Sequence, residues 1–278
     1  MMDDETLEII LALVHRHTGI TMNKGKKTLL EGRLRRRLQA LGFDCYPQYL
    51  DYLARNPDET QNFVNLVTTN ETSFFRTQRV WDYFTKKFLP AWAKEHPQET
   101  LRVWSAAASS GEEAYSVAIS CEEFRKSVPG FTYEIVGTDI DTEVLKIAEK
   151  AGYCGRSINA LRAGNPALFE KYFLPEGDGF RVADLARRKV SFLPHNLFKP
   201  FSRHDLFDVT FLRNVLIYFE KQDQEEVIRL VSRASKDKGL LLIGESESLG
   251  SLKTPFKFKE PLVYENVRDG VTQSDRAA

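Results

Sequence analysis

Apolar residues recur at three- and four-residue intervals over the first third of the chain, and in short unbroken or alternating runs after it. Leu7, Ile10, Leu11 and Val14 share a helical spacing, as do Leu29, Leu30, Leu34 and Leu38. Gly19, Gly42 and Asn56-Pro57-Asp58 punctuate these segments. Tyr49, Leu50, Tyr52 and Leu53, then Phe63, Val64, Leu66 and Val67, supply further apolar faces. The pattern predicts a bundle of four or five helices ending near residue 90.

From Leu101 the period changes. Residues 102–107 read as a buried strand, and a glycine turn leads into a helix over 112–126. A second strand over 133–137 precedes a helix over 142–151. Strands at 190–193 and 208–212 follow, then a helix from about 224 to 236 and a strand at 240–244. Strands alternating with helices predict a doubly wound α/β sheet. Two alternating runs at 256–259 and 263–267, parted by Glu260-Pro261, predict an antiparallel hairpin at one edge. Between Gly152 and Arg188 the alternation is interrupted. Leu161, Leu168, Tyr172 and Phe173, then Gly177-Asp178-Gly179 and Phe180-Arg181-Val182, predict a short helix and a small hairpin there. The chain divides on this reading into a helical domain with its linker (residues 1–90) and an α/β domain (91–278), the latter carrying an insertion at about 153–188. The last ten residues are polar and read as a loose tail.

Composition narrows the classes. With 39 basic and 39 acidic side chains the net charge is zero, which argues against a generally basic nucleic-acid coat. Cys45, Cys121 and Cys154 are scattered and form neither a disulfide framework nor a zinc site, a usage that suits a reducing compartment. The five histidines do not cluster with them, and His15 and His17 are too close in sequence to share a helix face. The N-terminus reads Met-Met-Asp-Asp-Glu without a basic start or apolar signal core, and no apolar run approaches a membrane span. A cytoplasmic protein without a metal or membrane insertion is expected.

In an open α/β sheet the ligand lies beyond the carboxyl ends of the strands. The first such end is Ala106-Ala107-Ala108-Ser109-Ser110-Gly111-Glu112-Glu113. It has one glycine, lacks a Gly-Lys-Ser/Thr ending and puts two carboxylates at the helix start, so it would repel a pyrophosphate and welcome a cation. Ser110 to Glu113 equally has the spacing of a capping box. The second strand ends in Gly137-Thr138-Asp139-Ile140-Asp141, where an acid can accept both hydroxyls of a ribose. Asp139 on ribose and Asp141 as the cap of the next helix are compatible readings. A ribose acceptor beside a phosphate-averse loop suits a cationic nucleoside without phosphates, a description that fits S-adenosylmethionine. Arg213, Asn214 and Tyr218 break the buried run of the fourth strand, either as structural polar groups or as part of a site.

These residues carry a resemblance. Asn70-Glu71-Thr72-Ser73-Phe74-Phe75-Arg76, Trp104 through Glu113, Thr138-Asp139-Ile140-Asp141, Asn196-Leu197 and Arg213 through Phe219 are similar, in that order, to the motifs of the CheR family. Members of that family are the chemotaxis methyltransferases that esterify glutamate side chains on bacterial chemoreceptors. The resemblance implies a Rossmann-like S-adenosylmethionine-dependent methyltransferase domain, an N-terminal all-α domain and a small inserted β-subdomain. It implies that Asn70, Thr72 and Arg76 close over the donor from the linker. Glu113 and Asp139 are implied to hold the donor's amino-acid and ribose parts, with Glu112 an alternative for the former. Asn196, Leu197, Arg213 and Asn214 are implied to line the adenosine and methionine pocket, and Arg76 and Tyr218 to stand beside the transferred methyl. Phe74 and Phe75 are expected to be plain core packing between the two domains.

Methyl transfer to a glutamate needs no general base, because the carboxylate is already ionised at neutral pH. The absence of a histidine or serine constellation is therefore consistent with it, and orientation of the reactants is the main requirement. Lys24, Lys26, Lys27, Arg33, Arg35, Arg36 and Arg37 face one acid, Glu31, between residues 24 and 37. This is a solvated helix face, a dock for an acidic protein helix, or a phosphate contact; the resemblance favours the acidic receptor helices. Ala108 and Ala114 stand where relatives often have cysteine and proline. The short turn at Gly177-Asp178-Gly179 argues against docking through a receptor tail peptide. Two rivals remain: a catalytically silent module that binds S-adenosylmethionine or S-adenosylhomocysteine as a sensor or scaffold, and a nucleic-acid methyltransferase. Retention of Arg76 and Tyr218 speaks against the first, and zero net charge with no Asn-Pro-Pro-Tyr-like motif against the second.

Overall fold

The computed structural model describes residues 2–267, so the polar tail expected at the C-terminus lies outside the described residues. The helical spacing of the first segments resolves into α1 (Asp4–Thr18), α2 (Lys27–Leu41), α3 (Tyr46–Arg55) and α4 (Pro57–Val67). Asp3 caps α1 by accepting from the Thr6 amide at 2.8 Å, and Gly19 ends it. Leu7, Ile10, Val14, Leu30, Leu34, Leu38, Tyr49 and Phe63 form one core. Leu29, adjacent to Leu30, points off that stripe and is exposed.

Three helical segments follow in an unbroken run: α5 (Gln78–Tyr83), a π-helical stretch (Phe84–Phe88) and α6 (Leu89–Glu95). Their apolar residues Val80, Trp81, Phe84, Leu89 and Trp92 pack with Leu101 and Phe211 of the sheet and Val117 of the helix that follows its first strand, not with the bundle. Packing therefore draws the domain division near residue 68, and residues 78–95 go with the sheet instead of with a helical domain ending at 90. Phe74 and Phe75 follow the same correction. Phe74 packs edge-on against Tyr153 and Phe173, and Phe75 against Trp81, all within the α/β core.

The α/β region runs β1 (Thr100–Ser105), α7 (Glu112–Arg125), β2 (Thr132–Asp139), α8 (Thr142–Lys150), β3 (Gly152–Tyr153), α9 (Arg156–Gly164) and α10 (Pro166–Tyr172). It continues through β4 (Phe173–Glu176), β5 (Gly179–Val182), α11 (Asp184–Arg187), β6 (Val190–Pro194) and β7 (Phe207–Leu212). A 3-10 turn (Leu216–Tyr218), α12 (Lys221–Ala234), β8 (Ser235–Ile243), β9 (Phe256–Glu260) and β10 (Val263–Asn266) complete it. The main sheet has the order β6-β2-β1-β7-β8-β10-β9. Its first five strands are parallel, and β10 and β9 form the antiparallel hairpin expected at the edge.

Strand alternation feeds two faces: Val103, Phe211 and Leu242 enter one core, whereas Trp104, Leu212 and Leu241 enter the other with α12. The helix expected to reach residue 236 stops at Ala234. Ser235 opposite Phe207 begins β8, because pairing with β7 outweighs the helical propensity of the lysines that follow. The insertion is larger than expected, with two helices before β4 and a three-stranded sheet, β3-β5-β4. β3 has two residues, too few for any period to reveal it.

Candidate active site

The strand order reverses between β1 and β7, where loops part and open a crevice beyond the carboxyl ends. A cleft of about 1060 Å³, counting its mouth, lies there. Its walls come from the loops after β1, β2, β6 and β7, from the linker over 68–76, from Thr18 at the end of α1 and from Ile20 just after it. All ten site residues expected from the sequence line it: Asn70, Thr72, Arg76, Glu113, Asp139, Asn196, Leu197, Arg213, Asn214 and Tyr218.

Two acids at the start of α7 have separate fates. Glu113 faces the cleft, where Oε1 accepts from Ser105 Oγ at 2.7 Å and Oε2 from Arg213 Nη1 at 3.0 Å. Glu112 is buried away from the cleft and takes a bond from Ser110 Oγ at 2.7 Å, and burial pushes its carboxyl up. The capping box expected from Ser110 does not form, because Gly111 is the N-cap residue and no side chain caps the helix. Arg213 is almost fully buried. Its second terminal nitrogen donates to the Arg76 carbonyl at 2.7 Å, while its Nε has no hydrogen-bond partner among the described residues. One guanidinium thus ties the loop after β7 to α7 and to the linker.

Asp139 is 9% exposed, and burial pushes its carboxyl up to about 6. Its oxygens accept from the Ser109 amide at 2.8 Å and the Asp141 amide at 3.0 Å. Asp141 is the cap of α8, accepting from the Glu143 and Val144 amides. Its other oxygen takes Thr68 Oγ1 at 2.8 Å and Asn70 Nδ2 at 2.6 Å, which fastens the linker over the end of β2. Asn70 therefore has its amide nitrogen committed to Asp141, and its carbonyl accepts from Ser109 Oγ at 3.0 Å.

Asn196 donates from Nδ2 to the His17 carbonyl at 3.1 Å and accepts from the Phe198 amide. Arg76 spends one terminal nitrogen on the Glu71 carbonyl at 3.0 Å. Positive φ angles gather around the cleft at Ser109 (49°) and Asn214 (59°), and at Phe75 (52°) and Thr77 (68°) on either side of Arg76. Each such non-glycine conformation costs roughly 1–3 kcal/mol and concentrates where a site dictates the backbone.

Thr18, Ile20, Ile140 and His195 also line the cleft and were not among the expected site residues. Ile140 carried a signal, an apolar residue immediately after the ribose acid. His195, edge-on to Trp104 and held neutral by burial, carried none, and neither did Thr18 and Ile20, which arrive from another domain.

The basic segment expected to dock partners is only partly a free surface. Arg33 donates to the Val67 and Thr68 carbonyls at 2.9 and 2.7 Å, and Arg37 forms a two-pronged pair with buried Glu59. Lys24 and Lys27 pair with Glu8 and Asp4. Lys26 and Arg36 are exposed. No group of three or more metal-ligating side chains gathers among the described residues, and none of their helices is long and apolar enough to cross a membrane.

Comparison with known proteins identifies the family of both parts of the chain. Residues 5–68 match the family described as "CheR methyltransferase, all-alpha domain", and residues 70–263 match "CheR methyltransferase, SAM binding domain". A "Chemotaxis protein methyltransferase" of Salmonella typhimurium is 35% identical, over 96% of this chain and 92% of the relative. Proteins of the same description from Escherichia coli and Klebsiella aerogenes are 34% and 33% identical, over 96% and 95% of this chain and 93% and 90% of theirs. With one family boundary falling where the packing divides the molecule, the chain belongs to the CheR methyltransferases, an all-α domain joined to a domain that binds S-adenosylmethionine.

Proposed function

We propose that this protein methylates glutamate side chains of bacterial chemoreceptors, as a protein-glutamate O-methyltransferase, and that the cleft at the strand-order switch is where it does so. The observation that carries the reading is the pairing of an acid-lined, phosphate-averse pocket with an arginine and a tyrosine at the same cleft. The donor set fits S-adenosylmethionine. Asp139 offers acceptor oxygens at the end of β2, Glu113 offers a carboxylate beside Arg213, and Ile140, Leu197 and Ile20 supply apolar wall for a purine. S-adenosylmethionine supplies a methyl group on a positively charged sulfur.

The chain's own residues orient and enclose. Arg76 keeps guanidinium nitrogens beyond the one bonded to Glu71, and these suit planar paired bonds to an acceptor carboxylate. The Tyr218 hydroxyl, half-buried at the same cleft, would donate one further bond and fix the approach. Asn70, Thr72 and the 18–20 segment exclude water from above. No side chain needs to take a proton, since a glutamate acceptor is ionised at neutral pH. Exposed Lys26 and Arg36 on and beside α2 are where an acidic receptor helix would dock. Relatives named for chemotaxis methylation favour this reading over a silent sensor or a nucleic-acid enzyme.

The test is transfer of labelled methyl from S-adenosylmethionine to cytoplasmic fragments of chemoreceptors, with release of the label by alkali as expected of an ester. Label that resists alkali, or none, would refute the glutamate assignment. In the Arg76→Ala variant turnover should fall by about 100-fold or more, with S-adenosylhomocysteine affinity changed far less. Equal losses would make Arg76 a donor-binding residue only.

A further inference from the structure

Glu247 lies in the loop after β8, outside the lining of the cleft, and is buried at 9% exposure. Its carboxylate accepts four backbone amides. Oε2 takes those of Asn214 and Gly244 at 2.9 and 2.6 Å, and Oε1 takes those of Val215 and Leu216 at 2.9 and 2.8 Å. Three consecutive amides converging on one anion form the concavity by which backbones bind anions, here filled by a side chain of the same molecule. The segment so gripped begins at Asn214, whose φ of 59° an unconstrained loop would rarely hold. The approach is close: a Cβ at Gly244 would stand 2.8 Å from both Asn214 Nδ2 and Glu247 Oε2, so a bare backbone is required at the end of β8. No local pattern marks Glu247, because three of its four partners are main-chain amides some thirty residues earlier.

We infer that Glu247 is a positioning residue for methyl transfer, holding the loop after β7 in the one conformation that presents Arg213, Asn214 and Tyr218 to the cleft. It acts through that loop without touching either reactant. The inference rests on the reading of the cleft as the donor site. A glutamine here keeps one acceptor oxygen for one pair of amides and turns its own N–H groups on the other pair. An aspartate is one methylene short and cannot reach both pairs.

The experiment measures S-adenosylhomocysteine affinity by calorimetry, well below the melting temperature, for wild type, Glu247→Gln, Glu247→Asp and Val231→Ala. Val231 is buried against the sheet on α12, away from the cleft, and reports what loss of stability alone does. Glu247→Gln should bind about 10- to 100-fold more weakly, the range set by leaving buried amides unmet, and kcat should fall with it. Glu247→Asp should lie between, and Val231→Ala should keep wild-type affinity. Affinity within twofold of wild type for Glu247→Gln overturns the proposal, even if that variant melts earlier. Wild type that binds no S-adenosylhomocysteine sinks the donor reading and this proposal together. A second readout needs no variant: in the unliganded wild type, the amides of Asn214, Val215 and Leu216 should be protected from hydrogen exchange. Exchange at open-loop rates would overturn it as well.

Discussion

Asp139 carries two opposed pH dependences. The folded chain keeps its proton up to about pH 6, whereas the unfolded chain releases it near 3.8. Between those values the folded state binds more protons, so this residue's contribution to stability is full below about 3.8 and is lost as pH rises toward 6. If Asp139 holds the ribose as proposed, donor binding has the reverse sign, because ribose hydroxyls need acceptor oxygens and the ionised carboxylate offers more of them. S-adenosylhomocysteine affinity should therefore weaken as pH falls from 7.5 to 5, with protons released on binding near pH 6. Calorimetry in two buffers of different ionisation enthalpy reads that release directly, and Asp139→Asn should lack it. A flat profile with no proton exchange would remove Asp139 from the donor contacts. At this scale much was legible. Asp139 and Asp141 were separable because a strand end and a helix start demand different things of an acid. Glu112 and Glu113 were not, since adjacent helical residues differ only in the direction their side chains take, which packing decides.

The helix α2 separates charge that is structural from charge that is free. Its leucines were readable from spacing, and they form the bundle core as the period requires. Which of its cations turn inward was not readable, because Glu59 lies 22 residues from Arg37 and the Val67 carbonyl lies 34 from Arg33. Two substitutions on one helix should thus behave differently. Arg37→Ala leaves the Glu59 carboxylate buried with Tyr49 and Asn62 but no counter-charge, which should cost about 3–5 kcal/mol. Denaturant unfolding would show that loss. Arg36→Glu should leave the unfolding midpoint within experimental error and raise KM for the receptor fragment about tenfold, with S-adenosylhomocysteine affinity unchanged. An unaltered receptor KM would move the docking surface off α2. The insertion shows the other limit of pattern reading: β5 of Gly179–Val182 was visible as an alternating run, whereas two-residue β3 exists only through its pairing with β5.

Across the whole molecule the cleft is a joint product of both domains, and this part of the site had no local signature. The bundle reaches it through the last residues of α1 and the segment after them. The Thr21 amide donates to the Tyr218 carbonyl at 2.9 Å, Asn196 donates to the His17 carbonyl, and Thr18 and Ile20 stand in the wall. Gln61 and Asn65 of α4 bond to Ile140 and Thr142 on the far side, so the two domains are stitched at both rims of the cleft. Gly19 is the tightest point of the seam. Its φ is 71°, and a Cβ there would fall 2.0 Å from the ring of Phe198, which itself packs on Phe219. The segment can lie this close only without a side chain. Gly19→Ala should push the bundle off that ring, withdraw Thr18 and Ile20 from the wall and weaken S-adenosylhomocysteine about tenfold or more. A ligand that binds the folded chain stabilises it by about 2.7 kcal/mol at one hundred times its Kd, so wild type should gain that much in unfolding experiments and the variant markedly less at the same concentration. Should the variant melt earlier yet gain as much from the ligand as wild type, the bundle would be a structural support beside the pocket and not one of its walls.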